Sequence, residues 1–371
     1  MCYKDSRSVL FIIYDLERGG PELRLLDFSR YFPRDIDMHI CVTSDKLSLL
    51  PLFKKNNSNI LIVPIRKAYL EVNKICIIYK YVKLNKISIL NSFDLKDILI
   101  AAIIKLISRE RIKLVYHSVN LLHRLNGHQK FFLGLLVRYA DSVLCNTQES
   151  KRLMKGLGIR KSRISVIYNG VDPEYFKNIG QEDKHSASFY SLESQNIVMG
   201  TIANFVSVKN YPFLLKGFRL LLKRYSRLRL MCVGGGVHQH RMERLARDLG
   251  LEHAVSFSGY SDNVLAHLSF MDIFVLCSLH EGLPNALLQA MSMGLPVICS
   301  EIGGCKEVIK DRVNGILFPP NDLGRFIVAV ELVINDRRFG SRLGRRARRT
   351  VKKNFSLNSM IENYANFYRN L

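Results

Sequence analysis

The feature that most constrains this chain is an alternation. Short apolar runs recur along it, most of them followed by a stretch with helical periodicity. In the first half the runs occupy residues 8–16, 38–43, 60–63, 87–90, 114–116, 142–145 and 164–168. Helical patterns lie between them, from Glu22 onward and at 69–83, 95–109, 131–139 and 148–157. Residues 177–196 are polar and Ser-rich and read as a linker. The alternation then restarts, with strand-like runs at 197–203, 228–233, 255–257, 273–277, 297–299 and 316–318. Helical patterns in this half cover 211–225, 241–249, 323–335, 341–353 and 357–369. Strand and helix in turn predict an α/β fold with parallel, doubly wound sheets. The length of 371 residues exceeds one ordinary domain, so two are expected.

The richest local signal is residues 278–296, SLHEGLPNALLQAMSMGLP. It follows an apolar run and supplies a turn at Gly282 and Pro284. Leu283, Leu287, Leu288 and Met291 then repeat at helical spacing, and Gly294 and Pro296 end the helix. Pro284 suits the first helical position, where a missing N–H costs nothing. Strand, loop and helix in this order bring free amides and a positive dipole end to the carboxyl edge of a parallel sheet. Glu281 stands at that edge. Gln289 lies eight residues on, at most about 12 Å along the axis. One ligand with a sugar and a nucleoside could touch both. A capped helix without a ligand fits this stretch equally, and both readings stay open on it alone.

Composition bounds the partners. Apolar residues make up 48% and charged residues 23%, which describes a globular protein with ample core. The formal charge of +23 calls for an anionic partner: nucleic acid, an acidic membrane surface or a phosphorylated substrate. The eight cysteines form no Cys-x-x-Cys pair, and Cys41, Cys145, Cys232, Cys277 and Cys299 fall in or beside apolar runs. Buried thiols in a reducing compartment are expected. The N-terminus lacks the pattern of a signal peptide, because Lys4 and Arg7 precede only a short apolar run before Asp15 and Glu17. The longest apolar run, 98–104, falls far short of a membrane span. A cytoplasmic protein is expected, peripheral on the inner face of the plasma membrane.

Two smaller motifs have ordinary explanations beside functional ones. Gly19-Gly20 ends the first run at a helix start, a geometry that suits phosphate and equally a tight strand-to-helix turn. Asp35-Ile-Asp37 imitates a metal-binding Asp-x-Asp but sits in a polar connection, so a solvated turn is favoured and no metal site is expected. In the last helix Met360, Ile361, Tyr364, Phe367 and Tyr368 form one broad apolar stripe that requires a surface.

Several motifs taken together resemble the retaining group 1 glycosyltransferases of the family 4 type. They are IANFVSVKN (202–210), VGGG (233–236), HEGLPNALLQAMSMGLPVICSEIGG (280–304) and NGILFPPND (314–322), in the order and spacing of that family. The first half matches through Gly19-Gly20-x-Glu22 and VIYNGVD (166–172). The resemblance implies the GT-B fold: two facing Rossmann-like domains, with the last helix crossing back onto the N-terminal one. The expected division is an acceptor domain at 1–176, a linker at 177–196, a nucleotide-sugar domain at 197–354 and the crossing helix at 355–371. It implies a nucleotide-diphosphate-sugar co-substrate, no separate cofactor and no metal, the leaving diphosphate being stabilised by fixed cations and amides.

Carried over residue by residue, Lys209 matches the phosphate-binding Lys of the family, and Asn204 stands where an Arg is frequent. Glu281 matches the first Glu of the Glu-x7-Glu signature, contacting the donor sugar. Gln289 replaces the second Glu and can hydrogen-bond a ribose without charge. Gly235, Gly282 and Pro284 belong to the same donor surface, with the amides near Leu283 and Asn285 facing phosphate. Gly19 and Gly20 would let the other domain approach that phosphate. For the acceptor, His117 is the nearest catalytic candidate at a strand end. His123 and His128 are less well placed, and Phe93 beside Asp94 occupies another position that is often His. A structural histidine at 117 remains equally open.

The acceptor expected is a glycan or lipid-linked saccharide of cell-envelope polysaccharide or lipopolysaccharide synthesis. The basic helical run at 342–353 and Lys74, Lys80, Lys83, Lys86 and Lys105 point to an anionic membrane surface. No nucleic acid is expected, because no aromatics interleave the basic run. The rival readings are a sugar-nucleotide epimerase of similar architecture and a basic nucleic-acid-binding protein.

Overall fold

The computed structural model describes residues 7–65, 71–108, 111–118, 125–177 and 195–371. His123 and nearly all of the expected linker lie outside the described residues. The chain divides into two compact units, one of residues 1–168 with 359–371 and one of residues 169–358. The boundary thus falls at Tyr168 instead of at 176, because Val171 is held by the second unit. Its N–H donates to the Phe355 carbonyl (3.0 Å), and its own carbonyl accepts from Leu357 N–H (2.8 Å).

The first unit runs β1 (Arg7–Ile13), α1 (Gly20–Tyr31), β2 (Ile36–Val42), α2 (Leu50–Lys55), β3 (Asn59–Ile62), α3 (Val72–Leu84) and β4 (Ile89–Ser92). It continues through α4 (Leu95–Ile107), β5 (Lys113–Ser118), α5 (Gly127–Tyr139), β6 (Ser142–Cys145), α6 (Gln148–Gly156) and β7 (Ile164–Val166). Its seven strands pair in parallel in the order β3-β2-β1-β4-β5-β6-β7. Helices cover both faces of such a sheet, which is why Val9, Leu10, Phe11 and Ile12 are fully buried in sequence and read as one apolar run.

The second unit contains β8 (Ile197–Ile202), α7 (Tyr211–Leu222), β9 (Leu228–Val233), α8 (Gln239–Asp248), β10 (Val255–Gly259), α9 (Val264–Ser269) and β11 (Ile273–Leu276). Then come α10 (Asn285–Ser292), β12 (Val297–Ser300), α11 (Gly303–Val308), β13 (Ile316–Phe318), α12 (Leu323–Asn335), α13 (Arg337–Asn354) and α14 (Leu357–Arg369), the last passing into the first unit. The six strands pair in parallel in the order β10-β9-β8-β11-β12-β13. In each sheet the strand order reverses next to the first strand, between β1 and β4 and between β8 and β11. Loops leaving those pairs diverge and open a crevice at the carboxyl edge.

The helix α14 finds its surface in the first unit. Tyr364 and Tyr368 are fully buried. The Tyr364 ring lies 4.8 Å from Phe28, and Tyr368 meets Phe11 edge-on at 5.8 Å. The Tyr368 hydroxyl donates to Asn91 Oδ1 (2.9 Å), and Arg369 forms an ion pair with Asp35 (2.7 Å). Asp37 accepts from Asn59 and pairs with His39, so both carboxylates of the Asp-x-Asp run are engaged in holding the fold. Cys41, Cys145, Cys232, Cys277 and Cys299 are buried free thiols, as is Cys305. Among the described residues, no helix is long and apolar enough to cross a membrane.

The differences from the sequence reading have local causes. The first strand ends at Ile13, where its partner β2 ends at Val42, and Tyr14 turns outward. The helix α5 begins four residues earlier than its apolar pattern, because Asn126 and Gln129 form a capping box. Asp336 caps α13 with its side chain alone, accepting from Phe339 N–H. The helices α2, α9 and α11 span six residues each, too short to show a period.

Two outcomes follow from this packing. Tyr364→Phe removes the hydroxyl that accepts from Arg24 (3.0 Å) in a buried site. It should cost about 1–3 kcal/mol in urea unfolding, and an unchanged midpoint would contradict that role. Burial, with the charge of Asp15 adding, pushes the Glu22 carboxyl from 4.5 up to about 7 against the amides of Glu22 and Gly19 and the charge of Arg24. The unfolded chain releases this proton near 4.5 and the folded chain near 7, so the stability it contributes is lost as pH rises through that window. Glu22→Gln should flatten this part of the stability-versus-pH curve, and an unaltered slope between pH 5 and about 8 would count against it.

Candidate active site at the carboxyl edge of the second sheet

The strands β8 and β11 are neighbours, so the loops that follow them meet at the reversal point of the sheet. The Leu279 N–H donates to the Val208 carbonyl (2.8 Å) and ties the two loops together. The first loop closes in a single 3-10 turn, Ser207–Lys209, ended by Asn210 in the left-handed conformation (φ 55°). That turn presents Lys209. The second loop presents Glu281. Lys209 Nζ donates to Glu281 Oε1 at 2.5 Å, with the two side chains 20% and 11% exposed. Ser278, fully buried, donates its hydroxyl to the same oxygen (2.7 Å). Among the described residues no hydrogen bond is recorded on Oε2. A cation and a carboxylate are therefore held together at the place where a parallel sheet receives ligands.

The helix α10 starts here. Pro284 is its N-cap, with extended backbone (φ −72°, ψ 120°), and Asn285 is its first residue. The expected place of Pro284 inside the first turn is thus one residue off, because its ψ has not yet turned helical. No side chain caps the helix and no acidic residue lies in its first turn. Its leading amides and dipole remain available to an anion. Gln289 lies half-buried on the second turn. Behind α10 packs α13, whose Gly344 leaves room for the Gly294 carbonyl.

The glycine turn 234–236 packs against the loop that follows β8. Gly234 and Gly236 both take φ 145°, and a Cβ on either would strike the backbone of Ala203 or Phe205. The Gly235 carbonyl accepts from Phe205 N–H (2.8 Å). The turn therefore braces the loop that carries Asn204, which is exposed, and Lys209. Gly304 does the same for the second loop, lying so close to the Gly282 carbonyl that a side chain there would collide with it.

In the first unit, Gly19 and Gly20 stand after β1 at the corresponding reversal point. The Glu22 carboxylate folds over Gly19 and would meet any Cβ placed there, whereas Gly20 faces open space. His117 requires a correction. It is fully buried at the end of β5, its Nε2 hydrogen-bonded with Arg24 (2.9 Å) and the Tyr364 hydroxyl (3.0 Å) and its ring stacked on Phe93 at 5.1 Å. Burial, then the charge of Arg24, holds its pKa well below the usual histidine range. It is a neutral core group beneath α14 with no surface to offer an acceptor. His128 is exposed on α5. Ser278 and Asn169 were missed by sequence reasoning. Asn169 Nδ2 donates to the Leu283 carbonyl and to Asn285 Oδ1, both at 2.9 Å. Ser278 had a faint signal, lying three residues before Glu281 on the same turn.

The family description "Glycosyl transferases group 1" matches residues 184–350, and "Glycosyltransferase Family 4" matches residues 18–175. The lipopolysaccharide core biosynthesis glycosyltransferase LpsE of Rhizobium meliloti is 27% identical over 61% of this chain and 64% of its own length. An Escherichia coli UDP-Gal:alpha-D-GlcNAc-diphosphoundecaprenol alpha-1,3-galactosyltransferase is 25% identical over 70% of this chain and 65% of its own. The chain thus spans somewhat under two thirds of the length of these curated relatives. The crystal structure of Anabaena Alr3699/HepE in complex with UDP superposes with a TM-score of 0.88 at 20% identity, covering 98% of this chain and 100% of that one. Two parallel Rossmann-like sheets, the last helix returned to the first of them and these matches lead to one conclusion: the chain belongs to the group 1, family 4 glycosyltransferases of the GT-B fold.

Proposed function

We propose that this protein transfers a sugar, as a hexosyl unit with retention and without a metal, from a nucleotide-diphosphate-sugar to a glycan or lipid-linked acceptor of envelope polysaccharide or lipopolysaccharide synthesis. The observation that carries the reading is the Lys209–Glu281 pair beside the uncapped start of α10. A departing nucleoside diphosphate gains negative charge. Lys209 and the leading amides of α10 are preorganised donors for it. As phosphate draws Lys209 away, Glu281 keeps its bond from Ser278 and turns an oxygen to the hydroxyls of the donor sugar. Gln289 supplies a neutral hydrogen bond to the ribose, and Asn204, Gly235 and Gly282 complete the donor surface. HepE has been crystallised with UDP and with UDP-glucose, which makes UDP the first nucleotide to try. The galactosyltransferase relative uses a diphosphoundecaprenol-linked acceptor, which supports a lipid-linked one here. Neither the epimerase nor the nucleic-acid reading gains support from these relatives.

The first unit supports placement at a membrane on the cytoplasmic side. The helices α3, α4 and α5 expose Val72, Leu84, Leu106, Phe131 and Leu135, with Leu84 at 82% and Phe131 at 70%. Lys80, Lys83, Lys86 and Lys130 are exposed among them, and the segments 72–86 and 127–140 contain no acidic residue. Apolar insertion with flanking cations suits an anionic bilayer.

Three outcomes test this. Across a panel of nucleotide-sugars, at least one should stabilise the protein against heat; stabilisation by none would remove the donor reading. Glu281→Ala should retain nucleoside diphosphate binding while transfer falls about 100-fold or more, and Lys209→Ala should weaken that binding about tenfold. Equal donor kinetics in both variants and the wild type would reject the roles. Vesicles rich in anionic lipid should bind the protein at low salt and release it as salt rises. Absence of binding at low salt would refute membrane attachment.

A further inference from the structure

The Asn-Gly-Val-Asp run at 169–172 belongs to no strand or helix, yet Val171 forms an isolated bridge with Ser356. We propose that Asn169 is a positioning residue for the phosphate-facing loop 282–285, an inference that rests on the donor-site reading above. Its side chain is nearly buried at 5% exposure, and its one amide group donates to both the Leu283 carbonyl and Asn285 Oδ1 at 2.9 Å.

Each bond has a separate consequence. The first fixes the peptide that joins Leu283 to Pro284, and so fixes the extended Pro284 backbone that turns the chain into α10. Pro284 has no N–H of its own, so nothing on its nitrogen can hold that peptide. The second engages the oxygen of the Asn285 side chain, which turns Asn285 Nδ2 away from Asn169. Asn285 then adds a donor to the leading amides of α10, and donors are what phosphate oxygens accept.

Asn169 can act this way because it is itself anchored. A Cβ on Gly170 would come 2.5 Å from the Ser356 carbonyl, so the chain there lies directly against the residues that enter α14. Val171 pairs with Ser356 as a parallel bridge, closed by the bonds to Phe355 and Leu357. Residues 169–171 and 355–357 of the second unit therefore run side by side. Gly304 in turn admits the Gly282 carbonyl of the same loop.

The test uses the full chain and UDP, or the nucleoside diphosphate that the panel identifies, with the parent nucleoside as a control. Asn169→Asp keeps the size but turns carboxylate oxygens on two acceptors, and Asn169→Ala removes both bonds without adding charge. By calorimetry the dissociation constant for the diphosphate should rise tenfold or more in the Asp variant and severalfold in the Ala variant. Binding stoichiometry and nucleoside affinity should stay as in the wild type. A merely structural role would instead lower the stoichiometry and the melting temperature and leave the diphosphate dissociation constant unchanged, and that result overturns the proposal. If the Asp variant does not fold, the Ala variant decides alone. A wild type that binds no nucleoside diphosphate overturns the donor reading first, which separates the two failures.

Discussion

One short ion pair organises the candidate site. Lys209 and Glu281 are separated by 72 residues and meet at 2.5 Å because β8 and β11 are adjacent in the sheet. Each partner neutralises the other, so neither partly buried charge lacks compensation. The arrangement is also poised for exchange. In the proposed role a diphosphate would compete for the cation with two or more negative charges, and the released carboxylate would still have the hydroxyl of Ser278 to hold it in place.

The surrounding structure keeps that pair and the start of α10 in register. The glycine turn at 234–236 stands against the loop of Lys209, and Gly304 stands against the loop of Glu281. The small residues are needed because backbone must touch backbone. Asn169 ties the second loop to the strand-like bridge formed by Val171 and Ser356. The result is a site built on element ends, where amides are free, and stiffened by contacts that a side chain at the glycines would destroy.

Much of this was legible in the sequence. The seven strands of the first sheet and the six of the second each showed as an apolar run, most clearly in central strands such as β1, β4 and β11, which are buried on both faces. The apolar stripe of α14 correctly demanded a surface, which proved to be Phe11 and Phe28. Lys209 and Glu281 were reached through motif resemblance; no spacing rule places residues 72 apart in contact. Residues whose role depends on distant chain escaped. His117 read as a strand-end candidate because the helix that buries it begins more than 200 residues later, and Tyr364 itself is 247 residues away. Asn169 escaped because its partners, Leu283 and Asn285, come from another element. Caps such as Asn126 with Gln129 were readable and were outweighed by the apolar period.

The most direct measurement is a crystal structure of the full chain with a bound nucleoside diphosphate. The account predicts phosphate oxygens about 3 Å from Lys209 Nζ and from the leading amides of α10, with the Lys209–Glu281 bond opened. A diphosphate seated elsewhere, with that bond intact, would contradict it.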